Sequence, residues 1–238
     1  MALLELQGAS RSFGALTVVD DLSLAVDAGE VLGIIGPNGA GKTTTLSLIA
    51  GELRLSSGRV VLDGEDLTRA SVQRRSRRGI ARTFQVPQPF GRLTVFENVL
   101  VGALRGRAKR RAAEDAALDA LAVARLTARA NAAAGSLTLL ERKRLELARA
   151  IVMKPRVVLL DESAGGLTDG EVEQLLPTVR DLRDAGTAIV WIEHVLHALV
   201  AVADRVVCVD RGRELVSGRP DEVMASAAVQ DVYLGTGA

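Results

Sequence analysis

The chain is short of the residues that build special scaffolds. One cysteine, Cys208, among 238 residues excludes a disulfide framework and fits a reducing, cytosolic setting. Net charge is nearly absent, with 30 basic against 29 acidic residues, so the electrostatic footprint of a general nucleic-acid binder is missing. Long hydrophobic runs are missing too: Val157-Val158-Leu159-Leu160 and residues 198–203 fall far short of the ~20 residues that cross a bilayer. Met1-Ala2-Leu3-Leu4-Glu5-Leu6 has neither a basic start nor a long apolar core, so no export signal is expected. Work at a membrane would require docking on another subunit. The length suits one large domain or two small ones.

What is present concentrates at one stretch. An apolar run, Val31-Leu32-Gly33-Ile34-Ile35, leads into Gly36-Pro37-Asn38-Gly39-Ala40-Gly41-Lys42-Thr43 and on to Thr44, Leu46, Leu48 and Ile49. The octapeptide matches G-x-x-x-x-G-K-[ST], a phosphate-binding loop between strand and helix. Glycines let successive N–H groups converge on phosphate oxygens, and the helix start adds partial positive charge. Lys42 is expected to reach the β- and γ-phosphates and Thr43 to offer its hydroxyl to Mg2+. A Gly-rich turn with no ligand is the bland reading, but strand, loop and helix stand in the order that nucleotide binding requires.

Around this stretch the chain alternates strands and helices. Residues 3–7 and 22–26 read as strands, with Phe13-Gly14 in the loop after the first. Phe13, one of only six aromatic residues, either stacks on an adenine ring or packs under an edge strand. Residues 59–62 with Asp63-Gly64 predict a short antiparallel hairpin. Two basic segments, Arg74-Arg75-Ser76-Arg77-Arg78 and Arg105-Gly106-Arg107-Ala108-Lys109-Arg110-Arg111, read as solvated helix surface, with phosphate or lipid contact the other reading of the first. Pro87 and Pro89 impose extended or turning backbone after Gln85; a helical pattern resumes over residues 93–100, and residues 100–134, rich in Ala, Arg and Leu, read as a helical insertion. Residues 141–153 and 171–185 predict helices, the second strained or kinked at Pro177. Residues 157–160, 187–192 and 205–209 are runs typical of buried parallel strands, and a helix over residues 195–202, a last strand over 214–216 and a helix from Pro220 complete the pattern. Such alternation predicts an α/β fold with a mostly parallel sheet.

Asp161-Glu162 closes one of these runs and Glu193-His194 the next. Alone, the first pair reads equally well as a capping pair, but the carboxyl end of a parallel strand is where α/β sheets bind ligands. With an upstream phosphate loop, Asp161 would hold Mg2+ through its water shell, and Glu162 would orient or deprotonate an attacking water. Gln85 and His194, each ending an apolar stretch, would complete the γ-phosphate shell.

In this order the motifs resemble the ATP-binding subunits of ATP-binding cassette (ABC) transporters, over essentially the whole chain. The resemblance implies a P-loop NTPase (RecA-like) core with an antiparallel β subdomain over residues 1–85 and 151–238, and a helical subdomain over residues 86–150. It implies Phe13 at the adenine, residues 36–43 with Thr44 as Walker A, and Gln85 as the Q-loop residue and a further Mg2+ ligand beside Thr43 and Asp161. Glu162 looks like the catalytic glutamate and His194 like the switch histidine, with ATP and Mg2+ as cofactors. Gly79-Ile80-Ala81-Arg82-Thr83-Phe84-Gln85, Leu93-Thr94-Val95-Phe96-Glu97-Asn98 and Val232-Tyr233-Leu234-Gly235 are similar to the subgroup that energises importers of branched-chain amino acids and related amides or urea. The implied partners are a second ABC ATPase subunit, two integral membrane permease subunits and, indirectly, an extracytoplasmic solute-binding protein, with no nucleic acid. The implied location is peripheral, on the cytoplasmic face of the inner membrane. Phe90 and Phe96 would be coupling contacts to the permease or plain packing. Rival readings are a soluble ABC-type switch acting on ribosomes or DNA, and an ATP-binding subunit with little hydrolysis.

The chain departs from the family pattern at the signature, usually Leu-Ser-Gly-Gly-Gln and here Leu137-Thr138-Leu139-Leu140-Glu141. Thr138 keeps a hydroxyl for a partner chain's ATP. The two leucines bring bulk where glycine permits close approach, and Glu141 brings like charge if it points at the nucleotide. Ser163 stands where Pro is usual, and Gly165-Gly166-Leu167-Thr168 ends without the common Asp or Asn. Because a signature completes the opposite chain's site, an asymmetric heterodimer is expected.

Overall fold

The computed structural model describes residues 2–104 and 110–234. Residues 105–109 of the second basic segment, and Gly235 of the C-terminal motif, lie outside the described residues.

The chain opens with two long strands, β1 (Leu4–Phe13) and β2 (Leu16–Val26), joined by a turn at Gly14-Ala15. Phe13 therefore ends a strand, where the sequence suggested a loop. Then come β3 (Val31–Ile35), α1 (Lys42–Ala50), β4 (Ser57–Leu62), β5 (Glu65–Asp66), α2 (Val72–Arg78) and β6 (Ile80–Arg82). The helical stretch holds α3 (Val95–Leu104), α4 (Arg110–Val123) and α5 (Leu139–Ile151). The chain then returns to alternation: β7 (Val157–Asp161), α6 (Asp169–Asp184), β8 (Ala188–Ile192), α7 (Leu196–Val200), β9 (Arg205–Asp210), β10 (Arg213–Gly218), α8 (Pro220–Ala225) and α9 (Ala227–Leu234). Helix α6 runs through Pro177 from a capping box of Thr168 and Glu171, so Thr168 serves as a helix cap at the end of the loop that lacks its Asp.

A six-stranded sheet runs in the order β10-β9-β3-β8-β7-β6, parallel except for the β10–β9 pair. A four-stranded antiparallel sheet, β2-β1-β4-β5, lies over one of its faces. The period of two along each strand divides the apolar side chains between two cores. From β3, Leu32 and Ile34 enter the core that includes Leu6, Leu22 and Val60 of the small sheet and Leu46, Leu48 and Ile49 of α1. Val31 and Ile35 point the other way, into a core with Trp191, Val172, Leu175 and Leu199. Strands covered on both sides need apolar residues at every position, which is why β3, β7 and β8 read as uninterrupted runs.

Helices α3, α4 and α5 enclose a third core, in which alanines at 113, 117 and 120 let α4 approach Val95, Val99 and Leu145. Phe96 packs partly buried against this core, while Phe90 is 49% exposed. Of the two candidate coupling aromatics, Phe90 is therefore the more exposed.

The first basic segment is not solvated throughout. Arg74, Arg77 and Arg78 are exposed, but Arg75 is buried, and its guanidinium donates to the carbonyls of Leu48 (2.6 Å), Ile49 (2.7 Å), Thr68 (2.9 Å) and Ala70 (3.2 Å). It closes the C-terminal end of α1, where helix carbonyls lack intrahelical partners and the dipole favours a cation, beside the cap that the Gly51 N–H makes. Burial pulls its pKa down to about 10. Replacing Arg75 with Met removes its donors from those carbonyls, of which Leu48 keeps the Gly51 N–H at 3.3 Å, and is expected to cost about 3 kcal/mol in urea unfolding, whereas Arg77→Ala on the exposed face should stay within about 0.5 kcal/mol.

Candidate functional site

The phosphate loop joins β3 to α1 under tight backbone constraint. Gly36 has φ +144°, and a Cβ there would sit 2.0 Å from the carbonyl oxygen of Val209; Gly41 has φ +98°, and a Cβ would meet the carbonyl of Val18 at 2.5 Å. No side chain fits at either position. The Gly36 N–H donates to the Tyr233 hydroxyl at 2.9 Å, so α9 holds the first residue of the loop. Lys42 is 6% exposed and its ammonium folds back onto the carbonyls of Gly36 (2.7 Å) and Pro37 (2.9 Å). Desolvation lowers its pKa, and Glu162, Cys208 and Asp161 oppose that shift.

Residues 38–44, Val18, Glu162 and His194 line one open cleft of roughly 180 Å³. Thr43 is exposed at its edge. Glu162 sits just past β7 with φ +47°, a strained conformation for a side-chain-bearing residue. Its carboxylate is 2.9 Å from His194 Nε2 through one oxygen and accepts from the Gln85 amide through the other. The structure thus gathers Gln85, Glu162 and His194, from three separate strand ends, within reach of the phosphate loop. Glu193, fully buried, fixes the backbone beside His194: it accepts from the N–H groups of Ala164 (2.6 Å) and His194 (3.2 Å) and from the Trp191 indole (3.0 Å). Burial raises its pKa, and these three donors, with the Val195 N–H at 3.5 Å, pull the other way.

Asp161 is 3% exposed. One carboxylate oxygen accepts from Arg82 Nη2 at 2.8 Å; the other, Oδ1, is buried with no partner. Arg82, with its side chain only 8% exposed, also donates to Ser47 at 2.8 Å and pairs with Glu52. An orphaned buried oxygen beside a phosphate loop is the donor an Mg2+ ion or its water shell would use, so the residues fit the cation. Among the described residues no group of three or more His, Cys, Asp or Glu forms a metal cage, so its other ligands would come from Thr43, nucleotide and water.

Two expected residues lie apart from this cleft. Phe13 is 45% exposed, with the Arg11 guanidinium 4.4 Å from its ring centre. Thr138 caps α5, accepting from the Glu141 N–H at 3.3 Å. The worry over Glu141 is corrected here: its carboxylate accepts from the Thr138 N–H (2.9 Å), completing the capping box, and pairs with Arg129 at 3.0 Å, so it is committed to the helix start. Leu140 is likewise buried in the core and only Leu139, 39% exposed, adds outward bulk. The sequence reading missed Arg82, Lys143, Val18 and the hydroxyl of Tyr233 as parts of the site. A basic residue three positions before Gln85, at the end of a strand beside Asp161, was the one available signal.

The ABC transporter family model matches residues 19–165, from before the phosphate loop to just past Glu162. The chain is 34% identical to the lipopolysaccharide export system ATP-binding protein LptB of Haemophilus influenzae, over 99% of this chain and 98% of that one. It is 33% identical to the high-affinity branched-chain amino acid transport ATP-binding protein BraF of Pseudomonas aeruginosa, over 98% of each. The ADP conformation of MJ1267, an ATP-binding cassette of an ABC transporter, superposes with a TM-score of 0.90 at 29% identity over 99% of both chains.

Removing Arg82 leaves Asp161 charged, buried and unpaired. Arg82→Met is expected to destabilise the nucleotide-free chain by about 3–5 kcal/mol in urea unfolding, and adding Asp161→Asn should recover much of that loss.

Proposed function

We propose, from the premise that this chain belongs to the ABC transporter family and is its ATP-hydrolysing subunit, that it energises an importer of branched-chain amino acids or related small amides. The cleft that brings Glu162 and His194 against the phosphate loop is the observation that carries the hydrolytic half of this reading. The backbone of residues 36–43 cradles the phosphates with Lys42, Thr43 and Asp161 hold the cation with Gln85 at its edge, and Phe13 meets the adenine. Mg2+, when bound, neutralises charge on the β- and γ-phosphate oxygens. Glu162 orients the attacking water and His194, 2.9 Å from its carboxylate, keeps that carboxylate aimed.

The transport half rests on a groove of roughly 280 Å³ between the sheet edge and the helical core. Phe84, Phe90 and Val101, each about half exposed, line it with Arg82 and Glu146. An apolar cleft with a polar rim is a fitting seat for a permease segment. Among the described residues no helix is long and apolar enough to cross a membrane; in this reading the chain is a peripheral subunit on the cytoplasmic side of two permease chains. A second reading, a subunit of an export system, is favoured by the likeness to LptB. Purifying the chain from gently solubilised native membranes and identifying its companions separates the two. A pair of permeases with an extracytoplasmic amino-acid-binding protein encoded beside them supports import; a lipid-exporting assembly supports the second reading, and ribosomal proteins alone overturn both.

The signature also belongs to this reading. We infer a heterodimer in which Leu139 weakens the site whose phosphate loop lies on the partner. Leu139→Gly should raise steady-state ATP turnover of the assembled pair severalfold, and an unchanged rate counts against asymmetry. Leu140→Gly, by contrast, opens a cavity in the core and is expected to cost about 3–5 kcal/mol of stability.

A further inference from the structure

Lys143 is the one residue of α5 that reaches into the hydrolytic cluster from the helical core, and no motif accounts for it. It is 4% exposed, and its ammonium donates to the carbonyl of Gln85 at 2.7 Å and to the carbonyl of Glu162 at 2.9 Å. These are the main chains of two of the three residues gathered at the cleft. A buried lysine is costly, and its pKa is lowered by desolvation, against which Glu193, Glu162, Asp161 and Glu146 act. A packing role would be served better by an apolar side chain. A third fact gives the contact a purpose: Glu162 holds φ +47°, a conformation that persists only where its surroundings enforce it. The carbonyl that Lys143 grips belongs to that strained residue.

We propose that Lys143 is a positioning residue for ATP hydrolysis, holding the backbones of Gln85 and Glu162 so that their side chains meet over the phosphate loop. The proposal rests on the reading of Glu162 as the residue that orients water. It requires that Lys143 act on turnover and leave nucleotide binding alone, since it touches neither Lys42 nor the loop carbonyls that Lys42 uses. Arginine keeps the charge and the donors, so it should substitute in part; methionine keeps the stem and loses both. Thr138, the N-cap of α5, lies about 7.5 Å along the axis from Lys143, so a shift of the signature end is delivered to these two backbones through a single rigid turn and a half.

The test is steady-state ATP hydrolysis by the purified full chain in its assembly, together with Mg2+-free binding of a fluorescent ATP analogue. Lys143→Met should lower kcat about 30-fold with KM and analogue affinity within about twofold of the parent, and Lys143→Arg should keep about a third of the parent kcat. In a Glu162→Gln background, Lys143→Met should lower the residual rate no further, because both changes remove one function. A Lys143→Met rate within about threefold of the parent, or a full further loss in the Glu162→Gln background, overturns the proposal. So does loss of analogue binding in both Lys143 variants, which marks a packing role. Hydrolysis at the parent rate by Glu162→Gln alone overturns the reading of Glu162 itself, and is told apart because it appears with Lys143 intact.

Discussion

A carboxylate at the end of a strand buried on both faces has to be compensated or neutralised, and Asp161 is the point where this protein meets that demand. Strand β7 is buried at all five positions, so no water reaches Asp161 from the sides. Arg82 takes one oxygen and leaves the other buried without a partner. Arg82 in turn needs Ser47 on α1 and Glu52 beyond it, which ties the loop's own helix to the strand that carries Asp161. Lys42 and Lys143, both buried and both depressed in pKa by desolvation, are offset by Asp161 and Glu162. The result is a connected set of opposite charges around the buried Asp161, with Glu52 and Glu162 at its edges toward solvent.

Backbone conformation is the second constraint. Gly36 and Gly41 approach the carbonyls of Val209 and Val18 too closely for any Cβ, so β9 and β2 shape the phosphate loop from outside it. Tyr233 adds a hydrogen bond from the far end of the chain. Glu162 lacks the freedom of glycine, and the hydrogen bond of its N–H to the Ile192 carbonyl fixes it on one side while Lys143 fixes it on the other. Strain of this kind costs on the order of 1–3 kcal/mol and survives only in a rigid frame. The double-sided sheet supplies that frame.

The order of strands and helices was legible because burial on both faces leaves no room for polar residues in β3, β7 and β8, and the phosphate loop was legible because few residues besides glycine can make its turns. What the sequence concealed is tertiary. Arg75 and Lys143 look like surface charges in their own segments, and only the ends of α1 and β7, far away in sequence, make them interior. Phe13 reads as a loop residue because β1 is longer than its apolar alternation, extended by polar pairing such as Ser12 with Thr17. Glu141 looks like a charge aimed at a nucleotide until the capping box claims it; the spacing Thr138-x-x-Glu141 was the signal for that cap.

That last correction changes the physical meaning of the altered signature. Two leucines and a glutamate in place of two glycines and an amide suggest a site blocked by bulk and repelled by charge. With Leu140 turned into the core and Glu141 engaged by Thr138 and Arg129, the obstruction narrows to Leu139, whose Cδ2 would lie 3.3 Å from a Cβ at Gly166. Gly166, at φ +80°, belongs to the loop that follows Glu162. Leu139, 39% exposed, therefore leaves little room for any side chain at position 166, while Lys143, on the same helix, donates to the carbonyl of Glu162. The helix that carries the altered signature is thus tied to this chain's own cleft through Lys143. Of the three altered positions, Leu140 and Glu141 thus serve the helix's own fold, and in the heterodimer proposed above Leu139 alone carries the obstruction.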